Sequence, residues 1–423
     1  MRRRLLGSSI IMAAFLLGVI SPRDAAAIPA FARKYKTSCM TCHAPFPTLT
    51  AVGEAFRLNG YKLPEANELY VKEQPVSMGA EPYKKVFPEA IWPSDIPGLP
   101  PISLFITGGA NVDTGGTSKN HTAFNFPAEL SVLGAGTFGK DFSFFAQAAF
   151  EKDEGGDTST ETLAWLMWQD LFGGLLGKNH LNIKAGNVGR HTIALPNTRN
   201  ENSFTIESYL YADELGLETQ PGLEVNGFGG RWRYFGGVVQ ESTDYSQKDY
   251  YAGLAFKIGG LGFDGSGGKS EEGGLSTTPS GFWRDDSILF GLFAYRGHSG
   301  ENASDFDRMG GDVRLNYKDL SLAGGYIVGR EEVTHIDKHI WFGEAYYFVF
   351  PWLIPYARFE NLSATGADNL DKARFILGVA GLIRANIRFN AEGRFYTKNQ
   401  PREAAGESLH DDDRVAFFLS WAF

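Results

Sequence analysis

The chain has 423 residues, a formal net charge of −9 at neutral pH, 51 glycines and 14% aromatic residues. The negative charge excludes nucleic acid as a natural partner. No run of ~20 apolar residues follows the first segment, which excludes helical membrane spans. No long helix-period segment occurs after about residue 60, so the aromatic and glycine content must be housed mainly in strands.

The first segment has the pattern of an export signal. Arg2, Arg3 and Arg4 form a basic start, Leu5 to Ile20 an apolar stretch too short to cross a bilayer, and Ala25-Ala26-Ala27 a small-residue cleavage site. Residues 1–27 are expected to be a signal peptide, so that the exported chain starts near Ile28. The segment contains no cysteine to carry a lipid anchor.

Ala30 to Tyr35 reads as a short helical lead-in to Cys39-Met40-Thr41-Cys42-His43. This CxxCH pentapeptide is the attachment pattern for a c-type haem. Two thiols at this spacing can each add to a vinyl group on one porphyrin edge, and the adjacent imidazole then lies where it can ligate the iron. Cys39 and Cys42 are the chain's two cysteines. A zinc site would need further ligands at suitable spacing, and a thioredoxin-like pair would need a strand before it. A plain disulfide satisfies the spacing but leaves His43 without a role. The expected cofactor is one covalent haem c, with Cys39 and Cys42 as thioether anchors and His43 as proximal iron ligand.

A helix is expected around Thr48 to Asn59, with Leu49, Val52, Ala55 and Phe56 on one face, Glu54 in its body and Gly60 as its stop. Such side chains could cover a porphyrin face or simply pack on neighbours. Beyond it, Pro75, Pro82, Pro88, Pro93, Pro97, Pro100 and Pro101 mark an irregular connection. Met78 is the candidate distal ligand and His121, in the first long loop, the alternative. His180, His191, His298, His335, His339 and His410 fall in or beside other predicted loops. His335 and His339 could share a metal only on a helix.

From about residue 101 onward, segments of some ten residues alternate apolar and polar or small groups. Their starts fall near 102, 126, 141, 161, 180, 218, 231, 249, 261, 287, 308, 320, 339, 352, 372, 385 and 413. Phe142 to Phe150 and Asp312 to Tyr317 illustrate the pattern. Short turns such as Gly139-Lys140-Asp141, Gly259-Gly260 and Lys318-Asp319 alternate with longer polar loops, including Asp153 to Thr160, Gly297 to Asp307 and Asn399 to Asp413. That asymmetry describes an outer-membrane β-barrel, closed because an open edge would leave backbone groups unpaired in hydrocarbon. Val415, Phe417, Leu419 and Trp421 share a face before a final Phe423, as expected of a closing barrel strand. Single-chain bacterial barrels have even strand numbers. One of about seventeen starts is therefore false, and the Gly- and Ser-rich stretch from Gly265 to Asp286 is where we place the fault. Sixteen antiparallel strands are expected, eighteen being the alternative. A barrel of that size encloses a lumen, and the small N-terminal block, too slight to hold a large core alone, is its expected occupant.

Ile28-Pro29-Ala30-Phe31-Ala32-Arg33, followed by Cys39 to His43, Phe46-Pro47, Leu49, Gly53, Phe56 and Gly60-Tyr61, resembles the N-terminal block of the fused outer-membrane cytochrome–porin proteins, whose best-known branch comprises bacterial iron oxidases. The specific motifs cover about residues 28 to 61; the barrel is similar by pattern alone. The resemblance implies a signal peptide (1–27), a monohaem cytochrome domain with its Pro-rich connection (28–100) and an outer-membrane barrel (101–423). It further implies an electron conduit between a periplasmic c-type cytochrome and an extracellular redox substrate such as Fe(II), embedded in outer-membrane lipid. Because the apolar band of such a barrel is about 25 Å tall, the haem must lie inside the lumen to serve both faces. Asp153-Glu154-Gly155-Gly156-Asp157, Glu271-Glu272 and Asp411-Asp412-Asp413 could attract cationic donors, although hydrated loop tips are the more frequent explanation of charge runs. A diffusion porin with a structural or regulatory haem domain, and a haem enzyme such as a peroxidase, are the alternatives.

Overall fold

The structure is a computed structural model that describes residues 30–44, 48–64, 71, 85, 102–115, 122–138, 141–152, 158–189, 204–215, 219–240, 247–267, 283–299, 304–366 and 370–423. Among the described residues there are four short α-helices: α1 (Ala30–Tyr35), α2 (Ala51–Leu58), α3 (Leu210–Leu215) and α4 (Gln400–Ala404). Sixteen strands follow the N-terminal block. They are β1 (Ile102–Asp113), β2 (Thr122–Phe138), β3 (Phe142–Lys152), β4 (Thr158–Trp168), β5 (Asn182–Gly189), β6 (Thr219–Phe228), β7 (Trp232–Gln240) and β8 (Lys248–Gly259), then β9 (Ser287–Ser299), β10 (Ser304–Tyr317), β11 (Leu320–Glu331), β12 (Ile336–Tyr347), β13 (Leu353–Thr365), β14 (Lys372–Arg384), β15 (Ile387–Asn399) and β16 (Arg414–Ala422).

Each strand pairs antiparallel with its neighbours in sequence, and β1 pairs with β16 from Phe105↔Ala422 to Asp113↔Arg414. The sheet is a closed barrel, so no strand edge is left for lipid to face. Its lipid-facing wall follows from the period-two pattern. On β8, Tyr250, Leu254, Phe256 and Ile258 are exposed while Asp249, Tyr251, Ala255 and Lys257 are buried. Phe417 and Leu419 of β16 likewise point outward between the buried Ala416 and Ala422. Apolar groups outside and polar groups inside are what a barrel in an outer membrane requires.

Strand positions match the sequence pattern except at one place. The segment starting near 261 is not a strand. Leu261 and Phe263 alternate and are buried, but they lie in a tight turn where Phe263 N–H donates to Gly230 O (3.0 Å) and Gly262 N–H to Ser266 O (2.7 Å). Two inward apolar groups flanking a glycine imitate a strand. The connection from β8 to β9 leaves from the same end as the short turns, which we take as periplasmic; Glu271-Glu272 lies outside the described residues. The loop expected from Gly297 to Asp307 is mostly strand, because β9 and β10 pair as far as Ser299 and Ser304. Likewise β4 begins at Thr158, inside the loop expected from Asp153 to Thr160.

The lumen is packed. Val188 of β5, Phe235 and Val239 of β7, Tyr251 of β8, Phe293 and Tyr295 of β9, Ile327 of β11 and Phe342 of β12 form one buried cluster with Tyr209, Leu210, Tyr211 and Leu215. These last four residues belong to segment 204–215, between β5 and β6, which folds into the barrel. Ile327, Ile340 and Leu362 have no exposed surface. The inserted segment therefore packs against the inner wall from β5 round to β13.

Candidate functional site

The CxxCH segment forms a 3-10 turn, Cys39–Thr41. Ser38 caps it by accepting from Met40 N–H (3.3 Å), and Cys39 O accepts from Cys42 N–H (3.2 Å) and His43 N–H (3.0 Å). The turn is clamped to α2. Thr50 N–H donates to Cys42 O (3.0 Å), and Thr50 Oγ1 donates to Thr41 O (3.2 Å) while capping α2 at Gly53 N–H (3.2 Å). Gly53 is required by this closeness, since a Cβ there would lie 1.9 Å from Cys42 O. His43 bridges Leu49, which brings the imidazole residue beside the start of α2. The helix ends as expected, with Gly60 at φ +65°.

Cys39 and Cys42 are free thiols. Burial raises the Cys39 thiol; burial and then the neighbouring Cys39 push Cys42 up to about 12. Around them is an aromatic shell. Phe31 lies edge-on to Phe56 (centroids 4.9 Å) and stacks on Tyr61 (5.1 Å), while Tyr35 meets Phe56 (5.7 Å) and its hydroxyl donates to Tyr61 O (3.3 Å). Two unpaired thiols on one turn, a histidine directly after them and an apolar shell fit covalent haem attachment. Cys39 and Cys42 would hold the porphyrin and His43 the iron.

This block sits within the barrel wall at its periplasmic end. Ala30 N–H donates to Ser103 Oγ (3.0 Å), Arg33 to Ile102 O (3.0 Å) and Asn179 Nδ2 to Asn59 Oδ1 (3.0 Å). Tyr61 stacks on the inward Trp165 of β4 (5.9 Å), which in turn stacks on Phe145 of β3 (6.0 Å). On the other side, Ala44, directly after His43, is buried with Phe204, Tyr346, Ile354, Tyr356, Ile376 and Ala380. The CxxCH turn thus reaches in as far as segment 204–215, and Leu58 packs on the main lumen cluster.

The segment 204–215 is the part of the site that sequence reasoning missed. Five arginines on inward positions of four consecutive strands hold it: Arg358 of β13, Arg374 of β14, Arg388 and Arg394 of β15, and Arg414 of β16. Arg358 donates to Thr205 Oγ1 (2.8 Å), Glu207 O (2.9 Å) and Ser208 O (2.8 Å), and its guanidinium lies 4.0 Å from the Tyr209 ring centroid. Arg374 donates to Ser208 O (2.6 Å) and Arg388 to Phe204 O (2.6 Å). Arg394 (2.9 Å) and Arg414 (2.6 Å) grip the Glu207 carboxylate. Wall carboxylates complete the match: Glu392 accepts from Ile206 and Glu207 N–H (2.8 Å each), Glu360 from Leu210 N–H (2.8 Å) and Glu344 from Tyr209 Oη (2.8 Å). Burial alone would raise the Glu207 carboxyl, but the charges of Arg394, Arg414 and Arg374 outweigh it and hold it at about 2. Inward arginines repeating at period two on neighbouring strands were the available signal.

Met78, His121 and His191 lie outside the described residues. The described histidines away from the CxxCH turn have structural surroundings. His298 pairs with Asp305 (2.7 Å), His410 with Asp413 (2.9 Å) and His339 with Tyr326 Oη (2.8 Å). His335 occupies a turn at φ +53° and His339 a strand, so they form no helical metal pair. Among the described residues, no group of three or more His, Cys, Asp or Glu is arranged to hold a metal ion. Asp412 is bound by Arg402 (2.7 Å) and Asn399 (2.8 Å), which makes it a scaffold for its loop. Asp153 to Asp157 lie outside the described residues.

A closed sixteen-stranded antiparallel barrel with a loop folded into its lumen and an apolar outer wall defines the class of porin-like outer-membrane β-barrels. Solved structures agree. OmpF of Salmonella typhi in complex with daunomycin shares 14% identity at a TM-score of 0.51, covering 76% of this chain and 97% of that one. The anion-selective porin from Comamonas acidovorans shares 13% identity at 0.51, covering 76% and 98%. No family profile matches the chain, and no curated protein does. The likeness is one of fold, and an outer-membrane location follows from it and from the apolar outer wall.

Proposed function

We propose that this chain is a sealed outer-membrane barrel that carries electrons through one covalently attached haem c. Cys39 and Cys42 anchor the group, His43 binds the iron, and the reaction is one-electron transfer between an extracellular donor or acceptor, such as Fe(II), and a periplasmic c-type cytochrome. The observation that carries this reading is the half-buried CxxCH turn, whose next residue, Ala44, is buried in the lumen with Phe204 of the inserted segment and wall residues of β12 to β14. Haem supplies a reversible one-electron couple when bound. The chain's own residues exclude water from it: Phe31, Tyr35, Phe56 and Tyr61 cover the periplasmic side, and the arginine-locked segment closes the passage beyond.

A diffusion porin is the second reading, favoured by the fold likeness to porins. The inserted segment weighs against it, because its Tyr209, Leu210, Tyr211 and Leu215 are buried in one cluster with side chains of β5, β7, β8, β9, β11, β12 and β13. Liposome swelling in neutral sugars, together with a pyridine haemochrome spectrum of the purified protein, separates the two. A c-type spectrum at one haem per chain without swelling supports the sealed cytochrome. Swelling at porin rates establishes the channel, and a haem-free protein from a host competent in haem attachment ends the cytochrome reading.

A further inference from the structure

We infer that the connection between β4 and β5 is a membrane-inserting knuckle, which embeds Phe172, Leu175 and Leu176 in the periplasmic leaflet of the outer membrane. Phe172 is 71% exposed, Leu175 82% and Leu176 62%. Exposed large apolar groups on strands face lipid by construction, but these three lie beyond the strand ends, where isolated hydrophobes would face water. A contiguous apolar patch in that position marks a binding surface.

The knuckle is rigid and strained. Asp170, Phe172 and Asn179 all adopt left-handed φ of 53°, 60° and 62°, a conformation that costs energy in residues with a Cβ. It is held by Leu171 N–H to Leu181 O (3.0 Å), Asp170 N–H to Asn182 Oδ1 (3.0 Å), Gly174 N–H to Asp170 O (3.0 Å) and Gly177 N–H to Gly174 O (2.8 Å). A flexible loop could fold its leucines inward. This one is built to hold them out.

What covers them is indicated by the knuckle's neighbours. His180 Nδ1 contacts Leu176 O (2.7 Å), and its ring packs 4.9 Å from Trp232, an outward residue at the periplasmic end of β7 that stacks on the outward Tyr234 (5.9 Å). Tyr234 Oη in turn donates to His180 O (2.8 Å). On the other flank, the outward Trp168, two residues before Asp170, stacks on Phe142 (5.5 Å). Trp168, Phe142, Trp232 and Tyr234 are girdle residues at the membrane–water boundary. The apolar tip is therefore continuous with the lipid-facing wall, and the exposed Lys178 is placed at the level of the phosphate headgroups. Lipid acyl chains are the occupant this continuity selects. The same connection also meets the N-terminal block, where Asn179 Nδ2 donates to Asn59 Oδ1 (3.0 Å). The inference stands without the haem.

The test places an environment-sensitive NBD dye on Leu175→Cys in the full chain, reconstituted in phosphatidylethanolamine/phosphatidylglycerol nanodiscs that leave both faces open. Lys318→Cys, on the β10–β11 turn at the same end, is the reference, and the parent chain carried through the same labelling is the blank. Membrane insertion predicts at least twofold stronger quenching by doxyl-labelled lipid, and at least twofold weaker quenching by aqueous iodide, at position 175 than at 318. Phe172→Cys should report the same depth. Iodide access equal to that at 318 would overturn the inference and make the tip a docking surface for a periplasmic protein.

Discussion

Two plugs occupy one barrel, and they are held by opposite chemistry. Segment 204–215 is fixed by charge: five wall arginines and three wall carboxylates meet its backbone and Glu207. The N-terminal block is seated by aromatic rings around Phe56 and Tyr61 and a stack on Trp165, with hydrogen bonds to the wall at Ser103, Ile102 and Asn179. Buried ion pairs contribute little net stability but are costly to break singly, so the inserted segment is a lock. Aromatic pairs each add about 0.5–1.5 kcal/mol beyond their buried area, so the block is a seat that a bound cofactor would complete. The comparison explains how a short segment with no core of its own is buried in a lumen wide enough for solutes.

The largest expected effect is on the seat. Replacing Cys39 and Cys42 together by serine should abolish covalent haem, read as loss of haem stain after denaturing electrophoresis, while the barrel still folds and shows heat-shifted migration. On the lock, Glu207→Gln removes the carboxylate shared by Arg394 and Arg414. Breaking one side of such a buried network costs about 3–5 kcal/mol, and planar-bilayer recordings should show conductance where the parent chain shows none.

Next in size is Gly53→Ala. Its Cβ would meet Cys42 O at 1.9 Å, and overpacking of this kind costs about 1–3 kcal/mol. The expected outcome is faster proteolysis of the N-terminal block with unchanged barrel melting.

The lock also has a pH signature. The Glu207 carboxyl is depressed from 4.5 to about 2, so its contribution is complete above the unfolded value, declines as pH falls below about 4.5 and is lost below about 2. Bilayer recordings should find the barrel closed at pH 7 and pH 5, with conductance emerging as the pH approaches 2. The smallest effect is expected at Trp165→Leu, where loss of the stack on Tyr61 is worth about 0.5–1.5 kcal/mol, measured as a modest rise in proteolysis of the block.

The barrel was legible because a closed sheet between lipid and lumen imposes period two on nearly every strand, as on β8. The CxxCH pattern stands out in the sequence because its five residues are contiguous, and its haem role stays a proposal. Leu261-Gly262-Phe263 misled because a buried turn can alternate as a strand does. The lock was illegible for a different reason: Glu207 meets Arg394 across 187 positions and Arg414 across 207, and no local pattern marks a loop that folds inward. The inward arginines were present in the alternation, but their partner was not.

The central claim is that electrons, and not solutes, cross this barrel. The most direct measurement uses the haem-loaded full chain in liposomes with an oxidised acceptor trapped inside and a ferrous or dithionite donor outside, monitoring haem and acceptor absorbance together. The account predicts rapid haem reduction followed by reduction of the trapped acceptor, with no leak of a neutral dye of solute size. Haem that reduces normally while the acceptor stays oxidised would contradict it.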